Sequence, residues 1–241
     1  MAALDKPIDM VRQTLRPALE NYRAVFFDMN GTFMFDGDRF GPEQDYYASY
    51  RAVGGRTLSP DKLKSAVSAC YAAFLRDYED PTFAECFPSL DAFIVTHAEV
   101  PVSEHEAIAM TIAMHEVGKV PSWAALSIRR VAEQCAVAVV SNVWAPSSHW
   151  SSELVASGVA PLLAAAIFSA EVGAIKPSQR PFLAAVDALG VSPSEVLFIG
   201  DSVERDILPA KALGMSTCLV GNSSLGTVAD FHVQSIAQLI T

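Results

Sequence analysis

The sequence predicts an α/β protein in which helices cover both faces of a doubly wound parallel sheet. Five short apolar runs recur along the chain, each run ends in turn or polar residues, and helical patterns lie between them. Uninterrupted apolar runs of this length suit strands that are buried on both faces of a sheet. Alternation of such strands with helices is typical of a doubly wound fold.

The five predicted strands are AVFFD (24–28), AVAVVS (136–141), AAIFS (165–169), EVLFIGD (195–201) and STCLVG (216–221). Helical patterns follow the later strands. Residues 177–190 place apolar side chains at helical spacing and end at Gly190, a residue that commonly terminates helices. Residues 205–215 repeat this design, and Pro209 fits a helix there only if it lies in the first turn.

The alternation breaks after the first strand, where residues 37 to about 120 show mainly helical patterns. Ser59 before Pro60 is a typical helix start, and Ser103 is expected to cap the last of these helices. An insertion at this point would lie over the carboxyl ends of the strands, where open α/β sheets bind ligands. The predicted domains are an N-terminal helical extension (1–22), a core (23–36 and 120–241) and a smaller helical cap (37–119).

Composition limits the classes of partner. The chain has 241 residues, 51% of them hydrophobic, and a net charge of −10, which argues against nucleic-acid or anionic-membrane partners. The longest apolar run falls short of the roughly 18 residues that a membrane helix needs. The four cysteines are widely spaced and form no CxxC pair, and the N-terminus resembles no secretory signal. We therefore expect a cytoplasmic monomer or homodimer with reduced thiols.

Polar side chains follow several predicted strands. Asp28 ends the first strand, Ser141 and Asn142 end the second, Asp201 ends the fourth, and Lys176 precedes a helix. The carboxyl ends of parallel strands lie at one edge of a sheet, so these groups should converge. Two carboxylates, a hydroxyl and an ammonium group are typical of phosphoryl transfer to a carboxylate nucleophile with a divalent cation.

The first of these positions lies in a turn. Gly31 allows a tight bend after Asp28, and Thr32 can hold that bend or bind an incoming anion. Further along the chain, Glu204 and Arg205 are expected at the solvated start of a helix.

Four stretches together resemble the haloacid dehalogenase superfamily of hydrolases with a helical cap of the C1 type. They are DMNGT (28–32), VVSN (139–142), GAIKP (173–177) and GDSVERDILPAKALGM (200–215). They occur in the order and approximate spacing of that family, and the resemblance covers about residues 22–240. It implies a Rossmann-like core and a small phosphorylated metabolite as substrate.

The resemblance also implies roles for particular residues. Asp28 would be the nucleophile that forms an aspartyl-phosphate, and Lys176 would neutralise the negative charge that builds up there. Mg²⁺ would be held by Asp28, the backbone carbonyl of Asn30, Asp201 and Asp206.

Three further residues would bind the substrate. Ser141 would bond the phosphoryl oxygens, helped by the backbone amide of Asn142, and Thr32 would bind the anion beside Asp28.

Asn30 departs from the family pattern, because the phosphatases have an Asp here that protonates the leaving group and activates water. An amide keeps the backbone carbonyl but transfers no proton at accessible pH. Loss of a general acid/base typically costs about 10²–10⁴-fold in rate, so turnover should be impaired while binding survives. The sequence is compatible with a native Asn30 and with one introduced to trap a ligand.

Two alternatives to an impaired phosphatase follow from Asn30. One is a non-catalytic relative that binds metal and a phosphorylated ligand. The other is a metal-independent 2-haloacid dehalogenase, whose halide leaving group needs no proton. Asp201 counts against the dehalogenase, because that reaction uses no metal.

Overall fold

The computed structural model describes residues 17–221 and 228–240 and contains a six-stranded, wholly parallel sheet. The strands are β1 (Ala24–Phe27), β2 (Ala136–Ser141), β3 (Leu163–Phe168), β4 (Val196–Gly200), β5 (Ser216–Val220) and β6 (Phe231–Val233). Their order across the sheet is β3-β2-β1-β4-β5-β6. The predicted α/β class and parallel sheet are confirmed, whereas most of the predicted N-terminal extension (1–22) lies outside the described residues.

Nine helices accompany the strands in the described part of the chain. They are α1 (Tyr46–Ala52), α2 (Pro60–Glu79), α3 (Leu90–His97), α4 (His105–Glu116), α5 (Ser122–Ala132), α6 (Ser147–Ala156), α7 (Ser169–Val172), α8 (Arg180–Leu189) and α9 (Leu208–Ala212). None of these helices combines the length and apolarity that crossing a membrane requires.

The first strand lies at the centre of the sheet, between β2 and β4. Its side chains alternate between two apolar clusters: Val25 and Phe27 belong to one cluster, and Ala24 and Phe26 belong to the other. All four side chains are buried. The run therefore lacks polar alternation because both faces of the sheet are covered.

Several local predictions can be compared with the structure. Gly190 ends α8 with a φ of 60°, and Pro209 is the second residue of α9, where its missing N–H costs no helical hydrogen bond. Ser59 caps α2 by accepting from the amide of Lys62. The prediction that Ser103 caps α4 was wrong, because a short 3₁₀ turn (Val102–Glu104) precedes that helix.

Strand β6 was not predicted. It has only three residues and its central one is His232, so it gives no apolar run that sequence reasoning could recognise. It pairs with β5 at the edge of the sheet.

Helices α1–α4, which we call the helical layer, are inserted between β1 and α5. Two chain segments connect this layer to the sheet domain, and they pair where Phe35 and Lys119 exchange backbone hydrogen bonds of 2.9 and 2.6 Å. A Cβ atom on Gly118 would lie 2.5 Å from the carbonyl oxygen of Phe35, so the close pairing requires glycine. The boundaries at 37 and 119 fall at these segments, and the division into domains stays a prediction.

The helical layer has its own core around the buried carboxylate of Glu104. This carboxylate accepts from the hydroxyl of Tyr50 at 2.5 Å and from the hydroxyl and amide of Thr57 at 2.6 and 3.2 Å. The Tyr50 oxygen in turn accepts from the amides of Thr57 and Leu58. Glu104, directly and through Tyr50, thus provides hydrogen-bond acceptors for the loop between α1 and α2.

We expect Glu104→Ala to lower the free energy of unfolding by about 2 kcal/mol, because it leaves the buried hydroxyl of Tyr50 without its acceptor. Urea unfolding followed by circular dichroism measures this loss. Glu106→Ala is the matched control, since Glu106 lies two residues further along, is exposed in the first turn of α4, and its removal should change stability by less than about 0.5 kcal/mol. A loss below about 1 kcal/mol for Glu104→Ala would contradict the assigned role.

Candidate active site

A cavity of about 270 Å³ opens at the carboxyl edge of the sheet, between the sheet domain and α2 of the helical layer. Its lining includes six of the predicted site residues, which come from the ends of β1, β2 and β4 and from the loops that follow β3 and β4. They are Asp28, Asn30, Asn142, Lys176, Asp201 and Asp206. The parallel topology therefore brings the predicted groups together, as strand ends at one edge of a sheet require.

The ammonium group of Lys176 is the centre of this arrangement. Its Nζ atom lies 2.6 Å from Oδ1 of Asp28 and 2.6 Å from Oδ1 of Asp206, and the side chain is only 2% exposed. Burial disfavours its charge, but Asp206 and Asp28 outweigh that effect and hold the pKa of Lys176 above its usual range. Lys176 is a permanent cation in contact with the predicted nucleophile.

Asp28 follows directly after β1 and is itself buried. Ser141 donates to its Oδ1 at 3.3 Å, and Thr32 lies 3.4 Å from its Oδ2, a long hydrogen bond. Burial raises the pKa of Asp28 to about 7; Lys176 opposes this shift, and the neighbouring acidic groups add to it. The predicted contacts of Ser141 and Thr32 with a phosphoryl group stay predictions, but both hydroxyls lie beside the predicted nucleophile.

Three carboxylates converge at the cavity: Asp28, Asp201 and Asp206 each offer an oxygen within 4.8 Å of the others. Desolvation, followed by repulsion from Asp206, raises the pKa of Asp201 to about 6. One lysine leaves this set with excess negative charge, and oxygen donors are the ligands that Mg²⁺ prefers. The donor set therefore fits a hard divalent cation.

Two glycines permit the close approach of the Asp201 and Asp206 carboxylates to the neighbouring backbone. Gly31 has a φ of 78°, and a Cβ atom there would lie 2.3 Å from Oδ2 of Asp201. A Cβ atom on Gly200 would similarly lie 2.4 Å from Oδ2 of Asp206. The two glycines let the carboxylates of the last motif sit against the first motif and β4.

Asp206 is fixed from two sides. Its Oδ1 accepts from Lys176, and its Oδ2 accepts from the backbone amide of Ser202 at 3.0 Å. The wide π-type turn Val203–Ile207 brings its carboxylate back toward the cavity. Such π-type turns occur frequently at functional sites.

Asn142 has a role that its sequence position did not reveal. Its Oδ1 accepts from the amide of Lys176 at 2.8 Å, and its Nδ2 donates to the Lys176 carbonyl at 3.1 Å and to the Tyr78 hydroxyl at 3.2 Å. The side chain thus positions the lysine loop against β2. The predicted phosphate contact through the Asn142 backbone amide stays a prediction.

Asn30 occupies the turn between Asp28 and the rest of the first motif and lines the cavity. The amides of Thr32, Phe33 and Met34 all donate to the carbonyl of Met29, which closes this turn. Position 30 therefore lines the same cavity as Asp28.

The expectation of a solvated Arg205 was wrong. Its guanidinium lies 3.7 Å from the ring centroid of Tyr78 and donates to the backbone carbonyls of Tyr78 and Lys176 at 2.8 and 3.2 Å. Arg205 therefore joins the last motif to the end of α2. The sequence carried no signal for this contact, because it depends on how two distant segments pack.

Sequence reasoning also missed the residues of α2 that line the cavity. Tyr71, Phe74, Leu75 and Tyr78 face it, at the spacing of one helical face. Two acidic residues line it as well: Asp38, from the segment that leads into the helical layer, and Glu116, the last residue of α4. The apolar spacing in α2 was visible in the sequence, but it could not be distinguished from an ordinary packing face.

Comparison with known proteins identifies relatives. A family model described as haloacid dehalogenase-like hydrolase matches residues 22–214. A glyceraldehyde 3-phosphate phosphatase of Methanocaldococcus jannaschii is 29% identical over 93 residues, which is 36% of this chain and 41% of that protein. A phosphoserine phosphatase of Thermus thermophilus is 36% identical over 63 residues, 26% of this chain and 25% of that protein. The aligned stretches thus span less than half of these relatives.

Solved structures share the fold over most of the chain. A HAD phosphatase from Thermococcus onnurineus aligns with a TM-score of 0.61 at 20% identity and covers 90% of this chain and 95% of its own. A 2-haloacid dehalogenase from Pseudomonas syringae aligns with a TM-score of 0.62 at 18% identity, covering 90% and 96%. With the family match over residues 22–214, these findings show that the chain belongs to the haloacid dehalogenase-like hydrolases.

Proposed function

We propose that this hydrolase is a Mg²⁺-dependent phosphatase that acts on a small phosphomonoester through Asp28, with turnover impaired by Asn30. The observation that carries the proposal is the ion pair of Lys176 with Asp28 and Asp206, which sets the Asp28 carboxyl group between a buried ammonium group and a cluster of acidic side chains. The phosphatase names of the curated relatives support the same reaction class.

In the proposed reaction, a carboxylate oxygen of Asp28 attacks phosphorus and the bond from phosphorus to the leaving oxygen breaks. Lys176 stabilises the negative charge between the carboxylate and the phosphoryl group. Ser141 and Thr32, whose hydroxyls lie beside Asp28, would donate to phosphoryl oxygens. A water then attacks the acyl-phosphate, which releases phosphate and restores Asp28.

The residues that would hold Mg²⁺ are Asp28, Asp201, Asp206 and the backbone carbonyl of Asn30. When bound, the ion would screen the repulsion between these carboxylates and an anionic substrate. Among the chain's own residues, Lys176 balances only part of that charge, which is why we assign the cation a necessary role.

Asn30 limits the reaction at both proton transfers. Its amide can donate a hydrogen bond to the leaving oxygen, but it cannot protonate that oxygen or take a proton from the attacking water. Water must supply and accept these protons in its place. Leaving groups that are poor without protonation should therefore suffer most.

Asn30→Asp should raise the Mg²⁺-dependent turnover number by about 10²-fold or more, because it restores a general acid/base. The gain should be larger for an alkyl phosphate than for 4-nitrophenyl phosphate, whose leaving group needs no proton. Phosphate release from both substrates, with and without Mg²⁺, measures this difference.

Asn21→Asp is the matched control, since it adds the same carboxylate at an exposed position before β1, at the opposite edge of the sheet. It should leave turnover unchanged. Tight binding of Mg²⁺ and phosphate without turnover in either protein would favour a non-catalytic binding protein. Metal-independent halide release from a 2-haloacid would establish the dehalogenase, which the absence of an acid at position 30 favours and the three-carboxylate cluster opposes.

Asp201→Asn should weaken Mg²⁺ binding by about tenfold or more, because it removes an anionic ligand. Without metal, the variant should be at least as stable as the parent, since repulsion among the three carboxylates is relieved. The melting temperature of each protein across a Mg²⁺ titration gives both results.

Asp187→Asn, which neutralises an exposed carboxylate on α8, provides the control and should keep the parent's Mg²⁺ response. If the melting temperature of Asp201→Asn rose with Mg²⁺ as that of the parent does, Mg²⁺ would bind elsewhere and Asp201 would be excluded as a ligand.

A further inference from the structure

One wall of the cavity is formed by apolar and aromatic side chains of α2. Tyr71, Phe74, Leu75 and Tyr78 lie at i, i+3, i+4 and i+7 of α2 and line the same cavity as Asp28. Leu75 is 41% exposed, an unusual exposure for a leucine on the wall of a cavity. Each apolar group that a ligand places against this wall removes further apolar surface from water.

Aromatic packing holds the side chains of this wall in place. The rings of Tyr71 and Phe74 are stacked at 6.4 Å and those of Phe74 and Tyr78 at 5.4 Å, and Phe74 also stacks on Trp144 at 4.4 Å. A rigid aromatic surface binds a flat or apolar group at little cost in side-chain entropy.

Charges around the cavity disfavour a second anion. Asp38 and Glu116 line it in addition to the three carboxylates of the cation site. Glu116 accepts from the amides of Trp144 and Ala145, each at 2.6 Å, but burial raises the pKa of its carboxyl group to about 8. At neutral pH the added negative charge therefore lies mainly on Asp38. A carboxylate on the leaving group would meet acidic side chains here.

The cations of the cavity are already engaged. Lys176 contacts Asp28 and Asp206. Arg205 donates to two backbone carbonyls, lies 3.5 Å from Glu79 and stacks on Tyr78. Among the described residues that line the cavity, no other side chain is cationic.

Building on the proposed phosphatase function, we propose that this cavity selects phosphomonoesters whose leaving group is uncharged and has an apolar or aromatic face. The side chains of α2 bind that face, and Asp38 discriminates against leaving groups that carry a carboxylate or a second phosphate. Among these side chains of α2, Leu75 has the largest exposed fraction, and we assign it as the main specificity-determining residue.

Binding of non-hydrolysable phosphonates tests this selectivity independently of Asn30. Benzylphosphonate and 4-carboxybenzylphosphonate differ by one carboxylate, and orthophosphate serves as a probe that lacks any leaving group. Titration calorimetry in the presence of Mg²⁺ should show benzylphosphonate binding about tenfold tighter than its carboxylated analogue and tighter than orthophosphate.

Leu75→Glu should reduce benzylphosphonate affinity by about tenfold and orthophosphate affinity by clearly less, because orthophosphate has no group that contacts the apolar wall and meets only the added negative charge. Leu126→Glu is the matched control, since Leu126 is 49% exposed on α5 and does not line the cavity. Asp38→Asn should reduce the difference in affinity between benzylphosphonate and 4-carboxybenzylphosphonate.

If 4-carboxybenzylphosphonate bound as tightly as benzylphosphonate or more tightly, the proposed selectivity would be overturned, and Arg205 would be the candidate partner of its carboxylate. Binding of orthophosphate in the same experiment would still support the proposed phosphatase function. Failure of all three probes to bind in the presence of Mg²⁺ would remove both proposals, because the cavity would then bind no phosphoryl group. Equal effects of Leu75→Glu and Leu126→Glu would also overturn the role of the wall.

Discussion

The contact of one buried lysine with two carboxylates is the constraint on which the rest of the site depends. Lys176 reaches Asp28 after β1 and Asp206 in the turn after β4, so it links segments that are 148 and 30 residues away in the chain. A buried ammonium group is tolerated only with such partners, and removing either carboxylate would leave a costly unpaired charge. The geometry of the cavity edge therefore follows from charge compensation.

The fold serves this constraint through strand order. Placing β1 between β2 and β4 brings Asp28 next to Ser141 and next to the Gly200–Asp201 turn, and the loop after β3 supplies Lys176. Asn142 then holds the lysine loop by a reciprocal pair of hydrogen bonds to its backbone. Buried polar groups are thus satisfied by one another, which fixes a single arrangement of these loops.

The sequence predicted the sheet, its parallel strands and the residues that meet at its edge, because these features are local. An apolar run and the polar residue that ends it can be read without knowledge of the rest of the chain. The three-residue strand β6 and the missing cap at Ser103 show where this approach fails, since a short strand or a 3₁₀ turn gives little local signal. Arg205 and Tyr78 were missed for another reason: their contact joins segments 127 residues apart.

The same difference, between features with a local sequence signal and contacts between distant segments, distinguishes the two ends of the cavity. The end that would hold the phosphoryl group and the cation is built from strand termini, whose positions the sheet determines, so the residue types there can be recognised in the sequence. The opposite end is a helical face, and the same apolar spacing serves an ordinary packing face such as that of α8. Only the three-dimensional structure shows that Leu75 is left exposed on the wall of the cavity that Asp28 also lines. The proposed reaction class and the proposed leaving-group preference thus rest on different kinds of physical signal in this chain.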